Sequence, residues 1–313
     1  MKQRIDVYIC SKPLQYFNVK NIGNVVDAGG KRILIVVDAF QKAQEYVEKI
    51  RLFDGSWDEV VYVKNTHDSY LWLLKHPVHN LFIDNDLSWF VFFLAFSHRI
   101  HKLYVYEEGI GSYNNASEYE VANYNRGGLL RKITRWALGM GFHFGDSRYC
   151  EGVFLTKPDL YNKKFNSNKG RPFEVGFLEN LQRNEELFLK ITGGLPQELD
   201  ISGENILIYV TEWEIQNDII AKLHEESVHY DKCFIKPHPQ IRDFSIGESK
   251  NVIILKTPIM MELILSYLLK RNNKITIWHQ YSTSVVHFLD HIESVPFPIN
   301  PEYERVYNEY INA

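Results

Sequence analysis

The sequence has few cysteines and little net charge. Its 3 cysteines, Cys10, Cys150 and Cys233, lie too far apart in the chain for a zinc cluster or a disulfide framework. A reducing cytoplasm is therefore the expected setting. The net charge of −4 gives no general attraction to nucleic acid, so we expect no nucleic-acid partner.

Long apolar runs and a secretory leader pattern are also missing. The first residues, Met1 to Arg4, lead into a short apolar stretch that contains a charge, which is unlike a signal peptide. The longest apolar run, residues 89–96, is far below the roughly 20 residues that span a bilayer. With 45% apolar and 24% charged residues, the composition is that of a globular protein, and 313 residues predict two domains.

Short β-rich runs alternate with helical patterns along the chain. Residues 32–37 form a continuous apolar run that predicts a strand buried on both faces, whereas residues 39–50 have apolar residues at helical spacing. Further strands are predicted at residues 5–10, 59–63, 80–83, 102–106, 205–210, 232–236, 251–255 and 274–278. This βαβ alternation indicates mainly parallel, doubly wound sheets.

A polar segment at residues 162–204 interrupts the alternation. We therefore predict two Rossmann-like domains, residues 1–180 and 181–313, with a C-terminal helix at about 301–313 that packs back on the first. The expected fold class is α/β and GT-B-like, with two parallel sheets facing a central cleft. Nucleotide-sugar glycosyltransferases commonly use this layout.

Polar groups directly follow five of the predicted strands. Ligands of open parallel sheets bind beyond the carboxyl ends of the strands, so we expect these groups to line one cleft. They are Ser11 to Gln15, Glu107-Glu108-Gly109, Pro237-His238-Pro239, Pro258 with Glu262, and Ser282-Thr283-Ser284.

Two adjacent carboxylates, Glu107 and Glu108, precede a glycine that permits a turn. A carboxylate close to another acid in a cleft can have a raised pKa, which suits a general base. The alternative interpretation is a solvated acidic turn, which composition alone favours for an isolated motif of this kind. The position just after a buried strand favours the functional interpretation.

The second half of the chain offers groups that suit a phosphate. His238 lies between two prolines that restrict its loop, and it can donate a hydrogen bond or a proton to a phosphate oxygen near neutral pH. Lys236 adds positive charge. Ser282 to Ser284 precede an apolar run, which predicts an N-capped helix whose first N–H groups can also bind an anion.

Two other features have a simple structural interpretation. Asp84 and Asp86 resemble a metal-binding pair, but paired aspartates at a strand end are common turn formers, and we expect no metal. The middle of the chain is basic, which usually marks a solvated surface and alternatively a face for an anionic membrane or glycan. Its cations are Arg126, Arg131, Lys132, Arg135, Lys157, Lys163, Lys164, Lys169 and Arg171.

In combination, these short motifs resemble those of bacterial sialyltransferases. Glu107-Glu108-Gly109 is similar to their acidic-acidic-Gly motif, His238-Pro239 to their His-Pro motif and Ser282-Thr283 to their Ser-Ser/Thr motif. The segment from Cys10 to Gln15 resembles the Pro-Leu-Gln strand end of the lipooligosaccharide sialyltransferase and polysialyltransferase families. Pro258 with Glu262 is similar to their cytidine ribose segment, and the motif order matches over residues 5–290.

The resemblance implies a role for each matching residue. Glu107 is the expected general base, with Glu108 open as the alternative, and His238 is the expected donor to the departing phosphate. Ser282 and Thr283 would bind that phosphate, with the register of Ser-Thr-Ser open by one residue, and Glu262 would hold the ribose. Lys236, Pro239, Ser284, Gln15 and Gly109 complete the expected binding site.

The implied activity is inverting, metal-independent transfer of sialic acid from CMP-sialic acid, without a further cofactor. The implied acceptor is a hydroxyl of a bacterial surface glycan, such as terminal galactose or sialic acid in lipooligosaccharide, O-antigen or capsule. The implied place is the cytoplasm, with peripheral contact at the inner membrane. Alternatives are a Kdo or CDP-glycerol transferase, which shares the cytidine nucleotide, and a non-catalytic glycan-binding relative.

Overall fold

The chain divides into two compact units. The computed structural model describes residues 4–22, 30–114, 128–212, 216–241, 244–245, 251–298 and 301–313, with side chains omitted at 128–132. Unit 1 comprises Met1–Ala39, Ala43–Asn180 and Asn308–Ala313, and unit 2 comprises Phe40–Lys42 and Leu181–Tyr307. The assignment of acceptor and nucleotide-sugar binding to domains 1–180 and 181–313 stays a prediction.

Unit 1 contains a seven-stranded parallel sheet in the order β3-β2-β1-β4-β5-β6-β7. Its strands are β1 (Ile5–Cys10), β2 (Lys31–Val37), β3 (Glu59–Val63), β4 (Val78–Ile83), β5 (Ile100–Tyr106), β6 (Cys150–Leu155) and β7 (Gly170–Pro172). Its described helices are α1 (Pro13–Lys20), α2 (Ala43–Phe53), α3 (Thr66–Lys75), α4 (Trp89–Phe96), α5 (Gly128–Ala137) and α6 (Pro158–Phe165). The next helix, α7 (Phe177–Thr192), contains the boundary between the units.

Unit 2 contains a five-stranded parallel sheet in the order β10-β9-β8-β11-β12. Its strands are β8 (Asn205–Val210), β9 (Lys232–Lys236), β10 (Val252–Ile254), β11 (Lys274–His279) and β12 (Glu293–Pro296). The helices in the described part of this unit after α7 are α8 (Asn217–Glu226), α9 (Met261–Lys270) and α10 (Pro301–Ile311), and the end of α10 belongs to unit 1. Short 3₁₀ helices cover Ile110–Tyr113, Gln197–Leu199, Ser227–His229 and Thr283–Phe288.

The central strands are apolar on both faces because helices cover both faces of a parallel sheet. In β2, for example, Ile33, Leu34, Ile35 and Val36 are each at most 2% exposed. The odd-numbered side chains pack with Leu73 and Leu94 of α3 and α4 into one apolar cluster. The prediction of two α/β regions with parallel sheets is confirmed.

The structure differs from the sequence prediction mainly between residues 138 and 204. Strand β6 was not predicted, because Glu151 and Gly152 interrupt its apolar run. The polar segment that was predicted only as an interruption of the alternation contains the 16-residue helix α7. In α7, apolar residues recur at helical spacing among polar ones. The average composition of the segment is therefore polar, and it does not reveal the helix.

Both sheets have a topological switch beside their first strand. The chain moves outward from β1 to β2 and β3 and then returns to the other side of β1 at β4. In unit 2 it moves from β8 to β9 and β10 and returns at β11. Such a switch opens a crevice at the carboxyl ends of the strands, where ligands of open α/β sheets bind. Among the described residues, no helix has the length and apolar content needed to cross a membrane.

A buried carboxylate, Asp54, fixes the end of α2 against α1. One of its oxygens accepts hydrogen bonds from the Tyr16 hydroxyl at 2.5 Å and from the Trp57 indole at 2.8 Å. The other accepts from Lys20 Nζ at 3.0 Å and from Ser56 Oγ at 2.7 Å. Burial raises the pKa of Asp54, but the Tyr16 hydrogen bond and the Lys20 charge outweigh it and lower the pKa overall.

We predict that Asp54→Asn lowers the free energy of unfolding by about 3 kcal/mol, because an amide nitrogen would face donors inside the protein. Asp58→Asn is the matched control. Asp58 also accepts a hydrogen bond, from the Arg32 backbone N–H at 2.7 Å, but at an exposed site, so its loss should cost less than about 1 kcal/mol. Urea unfolding followed by circular dichroism measures both, and equal losses would contradict the assignment.

Candidate active site

Side chains from three strand ends meet at the carboxyl edge of the unit 1 sheet. After β1, the Lys12 ammonium donates to the Glu108 carboxylate, which follows β5. Gln15, in α1, donates from its amide to Asp84 Oδ2 at 2.8 Å, after β4. Burial and the nearby Glu108 charge raise the pKa of Asp84 to about 7. This cluster lies at the switch between β1 and β4.

Glu107 is buried beside this cluster, and its two carboxylate oxygens are held differently. Oε2 accepts hydrogen bonds from the Thr156 backbone N–H at 2.6 Å and from the Tyr113 hydroxyl at 2.8 Å. Oε1 has a contact of only 3.4 Å with the Tyr310 hydroxyl, from the part of α10 that belongs to unit 1. Burial raises the pKa of Glu107, and these donors oppose the rise. Oε2 is thus held by two donors, and the Thr156 side chain also stabilises the ionised carboxylate.

The turn after the two acids requires its glycine. Gly109 has a φ of 97°, a backbone conformation that residues with a side chain rarely adopt. The Ser112 hydroxyl accepts the Glu108 backbone N–H at 2.9 Å and closes the turn. Gly109 therefore shapes the loop through its backbone.

A small cavity of about 160 Å³ lies close to Glu107 in unit 1. Its wall includes Asn18, whose amide donates to the Glu107 carbonyl at 2.8 Å, and Thr156, which donates to the Glu107 carboxylate. Glu174 and Phe177 complete a wall of polar and aromatic groups. Such a mixture suits a sugar, which has hydroxyls on its edges and apolar C–H faces.

The aspartate pair that resembled a metal motif is divided between two structural roles. Asp86 is buried and accepts the backbone N–H groups of Gly145 at 2.8 Å and Ser147 at 3.3 Å. Asp84 instead belongs to the cluster with Gln15 and Lys12. Within the described part of the chain, no group of three or more His, Cys, Asp or Glu residues is arranged to hold a metal ion.

In unit 2, His238 follows β9 and is half-buried. Its backbone N–H donates to the Thr211 hydroxyl at 3.0 Å, just after β8. Its ring Nδ1 faces the Gln240 backbone N–H at 3.4 Å, so Nδ1 is the acceptor. The proton of the neutral ring is therefore on Nε2, which makes Nε2 the hydrogen-bond donor.

Lys236 and Glu262 form a buried pair of opposite charges between β9 and α9. The Lys236 ammonium donates to the Thr257 carbonyl at 2.8 Å. Burial lowers the pKa of Lys236 to about 8 and raises that of Glu262 to about 7, while the attraction between their charges opposes both shifts. Lys236 therefore holds the loop that contains Pro258 through the carbonyl of the preceding residue, Thr257. Glu262 lies in the first turn of α9.

The Ser-Thr-Ser segment caps a 3₁₀ helix, Thr283–Phe288, rather than an α-helix. Ser282 Oγ accepts the Ser284 backbone N–H, and the two hydroxyls are 2.9 Å apart. The Ser282 backbone N–H in turn donates to Nδ1 of the fully buried His279 at 3.1 Å, and His279 Nε2 pairs with Ser294 Oγ at 2.7 Å. Burial lowers the pKa of His279 to about 4.

Within each unit the structure brings several predicted residues together. Gln15, Glu108 and Asp84 form one cluster, and Lys236 and Glu262 form another. Supporting residues that the sequence did not single out are Tyr113, Thr156, Thr211, His279 and Tyr310. Thr211 directly follows a predicted strand, so the rule used for the other groups would have found it.

Comparisons with solved structures agree with this architecture. An α/β-galactoside α-2,3-sialyltransferase from Photobacterium phosphoreum is 16% identical, and the match covers 100% of this chain and 96% of that chain with a TM-score of 0.57. UGT89C1 of Arabidopsis thaliana, in complex with UDP-L-rhamnose, is 11% identical over 100% and 83% of the chains with a TM-score of 0.57. A UDP-N-acetylglucosamine 2-epimerase from Rickettsia bellii is 13% identical over 93% and 78%, with a TM-score of 0.52.

Neither a protein-family model nor a curated protein matches the sequence. At these identities, the structural similarity shows the fold. The chain has the predicted GT-B-like fold, and its two α/β units have parallel sheets of seven and five strands.

His279 gives the Ser282 turn a pH dependence that can be measured. The pKa is about 4 in the folded protein and near 6.5 when unfolded, so the unfolded chain binds the proton first as the pH falls. Stability from this group is complete above pH 6.5 and decreases towards pH 4, by roughly 3 kcal/mol in total.

We predict that His279→Asn lacks this pH-dependent loss of stability, because asparagine does not titrate. The urea midpoint of the wild type should therefore fall more than that of the variant between pH 7 and pH 4. His291→Asn, at an exposed position, is the control and should follow the wild type. Parallel pH curves for the wild type and His279→Asn would contradict the assignment.

Proposed function

We propose that this protein is an inverting sialyltransferase that moves sialic acid from CMP-sialic acid to a hydroxyl of a bacterial surface glycan. The observation that carries the proposal is the position of the motifs that resemble sialyltransferases. The acidic pair lies at the carboxyl edge of one parallel sheet, and His238 and the Ser-Thr-Ser segment lie at that edge of the other. The GT-B-like fold, shared with the Photobacterium sialyltransferase, supports glycosyl transfer.

Glu107 is the proposed general base. Its Oε2 is held by the Thr156 backbone N–H and the Tyr113 hydroxyl, which fixes the direction of the carboxylate, and its Oε1 has a longer contact, of 3.4 Å, with Tyr310. A raised pKa increases the affinity of the carboxylate for the acceptor proton. Glu108, in contrast, is engaged by the Lys12 ammonium. The small cavity whose wall includes Asn18 and Thr156, which both hydrogen-bond to Glu107, is the proposed position of the acceptor sugar.

His238 is the proposed donor to the leaving phosphate in the same step. The acceptor oxygen would form a bond to the anomeric carbon, its proton would pass to Glu107, and the bond from that carbon to the phosphate oxygen would break. His238 Nε2–H would stabilise the charge that develops on the phosphate. Ser282, Thr283 and Ser284 would bind the same phosphate, and Glu262 would hold the ribose, with Lys236 and Pro239 shaping the pocket.

A single phosphate needs less charge neutralisation than a diphosphate, so we propose that no metal takes part. We also propose that the protein works in the cytoplasm, in peripheral contact with the inner membrane, on a terminal galactose or sialic acid. A screen of CMP-sialic acid, CMP-Kdo, CDP-glycerol and UDP-sugars, with and without EDTA, tests these points. Transfer only from CMP-sialic acid and unaffected by EDTA is expected. Transfer from another donor would identify another class of transferase, and EDTA inhibition would contradict metal independence.

We predict that Glu107→Gln and His238→Ala each reduce the rate of transfer by about 10²–10⁴-fold, which is the usual contribution of general acid–base catalysis. Glu108→Gln is the matched control for the base, because it removes the adjacent carboxylate and should reduce the rate far less. Rates are measured at saturating CMP-sialic acid. A large loss in Glu108→Gln with near-normal Glu107→Gln would transfer the role to Glu108. Near-normal rates in both Glu107→Gln and His238→Ala would refute the mechanism.

Tyr113 is predicted to set the pH at which the base works. Its hydroxyl stabilises the ionised form of Glu107, so Tyr113→Phe should raise the pKa of Glu107 further and shift the acidic limb of kcat/KM to higher pH. Tyr310→Phe removes only a 3.4 Å contact and should shift this limb less. If Tyr113→Phe lowers the rate equally at all pH values, Tyr113 does not act through Glu107.

A further inference from the structure

Helix α4 presents a row of aromatic side chains to solvent. Trp89, Phe90, Phe93 and Phe96 are spaced along one face of the helix, and Phe93 and Phe96 are 54% and 56% exposed. The opposite face, with Val91, Leu94 and Ala95, is buried against the sheet. Single exposed apolar residues are ordinary, but a contiguous row of aromatic residues marks an interaction surface.

Helix α5 also turns apolar side chains outward and a cation inward. Ile133 is 51% exposed and Trp136 is 74% exposed, whereas Arg135 between them is buried. The Arg135 guanidinium donates to the Leu87 carbonyl at 3.3 Å and to the Gly141 carbonyl at 2.7 Å. At residues 133–137 the pattern of exposed and buried side chains is therefore the reverse of that expected for a helix packed on a core in water.

The two helices are neighbours within unit 1. Arg135 of α5 bonds to Leu87, which lies two residues before α4. Just beyond the same C-terminal end of α5, the Gly139 carbonyl accepts the Arg148 backbone N–H at 3.0 Å, and the adjacent Tyr149 ring contacts Phe92 of α4. We call Trp89, Phe90, Phe93, Phe96, Ile133 and Trp136 the aromatic surface.

Positive charges flank the aromatic surface. Arg99 is exposed three residues after the end of α4, and Arg148 is exposed beside Tyr149. Neither helix sequence contains an acidic residue, although the whole chain has a net charge of −4. Tryptophan and phenylalanine flanked by arginine is the composition that favours the interface of an anionic bilayer.

We propose that the aromatic surface docks on an anionic lipid bilayer, with its rings at the level of the headgroups. This surface would make the peripheral membrane contact that is proposed above, whichever sugar the protein transfers. A second copy of this chain is a poorer occupant, because two-fold pairing through this face would bring the arginines of both copies together. With 8 and 10 residues, α4 and α5 are suited to lie on a bilayer and are too short to cross it.

Co-sedimentation of the full chain with vesicles tests the proposal without any sugar donor, so the result is independent of the proposed activity. Binding to vesicles of phosphatidylcholine mixed with phosphatidylglycerol should exceed binding to phosphatidylcholine alone, and salt should weaken it. The double variant Phe93→Ser, Trp136→Ser should bind the mixed vesicles at least about tenfold more weakly. Arg99→Gln with Arg148→Gln should remove most of the preference for phosphatidylglycerol.

Leu52→Ser is the matched control, since Leu52 is 72% exposed on α2, away from the aromatic surface, and its loss should leave binding unchanged. Circular dichroism confirms that each variant is folded, as expected for substitutions at exposed positions. The proposal is overturned if the wild type ignores anionic vesicles or if Leu52→Ser weakens binding as much as the double variant. It is also overturned if sedimentation velocity shows a dimer that Phe93→Ser and Trp136→Ser dissociate.

Discussion

The parallel direction of all the described strands is the constraint on which the candidate site depends. Each βαβ crossover returns the chain to the same edge, so the residue after each strand emerges beside the residues after its neighbours. For this reason residues from three distant segments, Lys12 with Gln15, Asp84, and Glu108, are joined by hydrogen bonds and charge interactions. The same rule places His238 next to Thr211 in unit 2. An antiparallel strand at these positions would send its polar end to the opposite edge.

The proposed catalytic groups are held by buried neighbours rather than by solvent. Glu107 depends on a backbone N–H after β6 and on two tyrosines, and the Ser282 turn depends on a buried histidine. Burial costs the ionised or protonated forms of these groups much of their hydration, which explains the raised pKa of Glu107 and the lowered pKa of His279. In this arrangement the sheets and the buried hydrogen bonds fix the positions of these groups, and burial shifts their pKa values, opposed at Glu107 by the hydrogen bonds.

The sequence predicted the parallel sheets because their strands are continuous apolar runs, as at residues 205–210, where prediction and structure coincide. It also placed Glu107 and His238 after buried strands. The orientation of the side chains could not be predicted from the sequence. The two adjacent acids have different partners, because Glu107 turns towards Thr156 and Glu108 turns towards Lys12. Tyr310 lies 203 residues from Glu107, and only the folded chain reveals that contact. The outward aromatic face of α4 was likewise hidden, because an apolar run alone does not say which side is covered.

The central claim is that the carboxyl edge of the unit 2 sheet holds a cytidine nucleotide. Amide hydrogen exchange with and without CMP measures this directly. We expect slower exchange at residues 237–241, 257–263 and 280–285, where backbone and side-chain groups would close on the ribose and phosphate, and no change at the amino ends of the strands. Protection confined to other surfaces, or no protection at saturating CMP, would contradict the account.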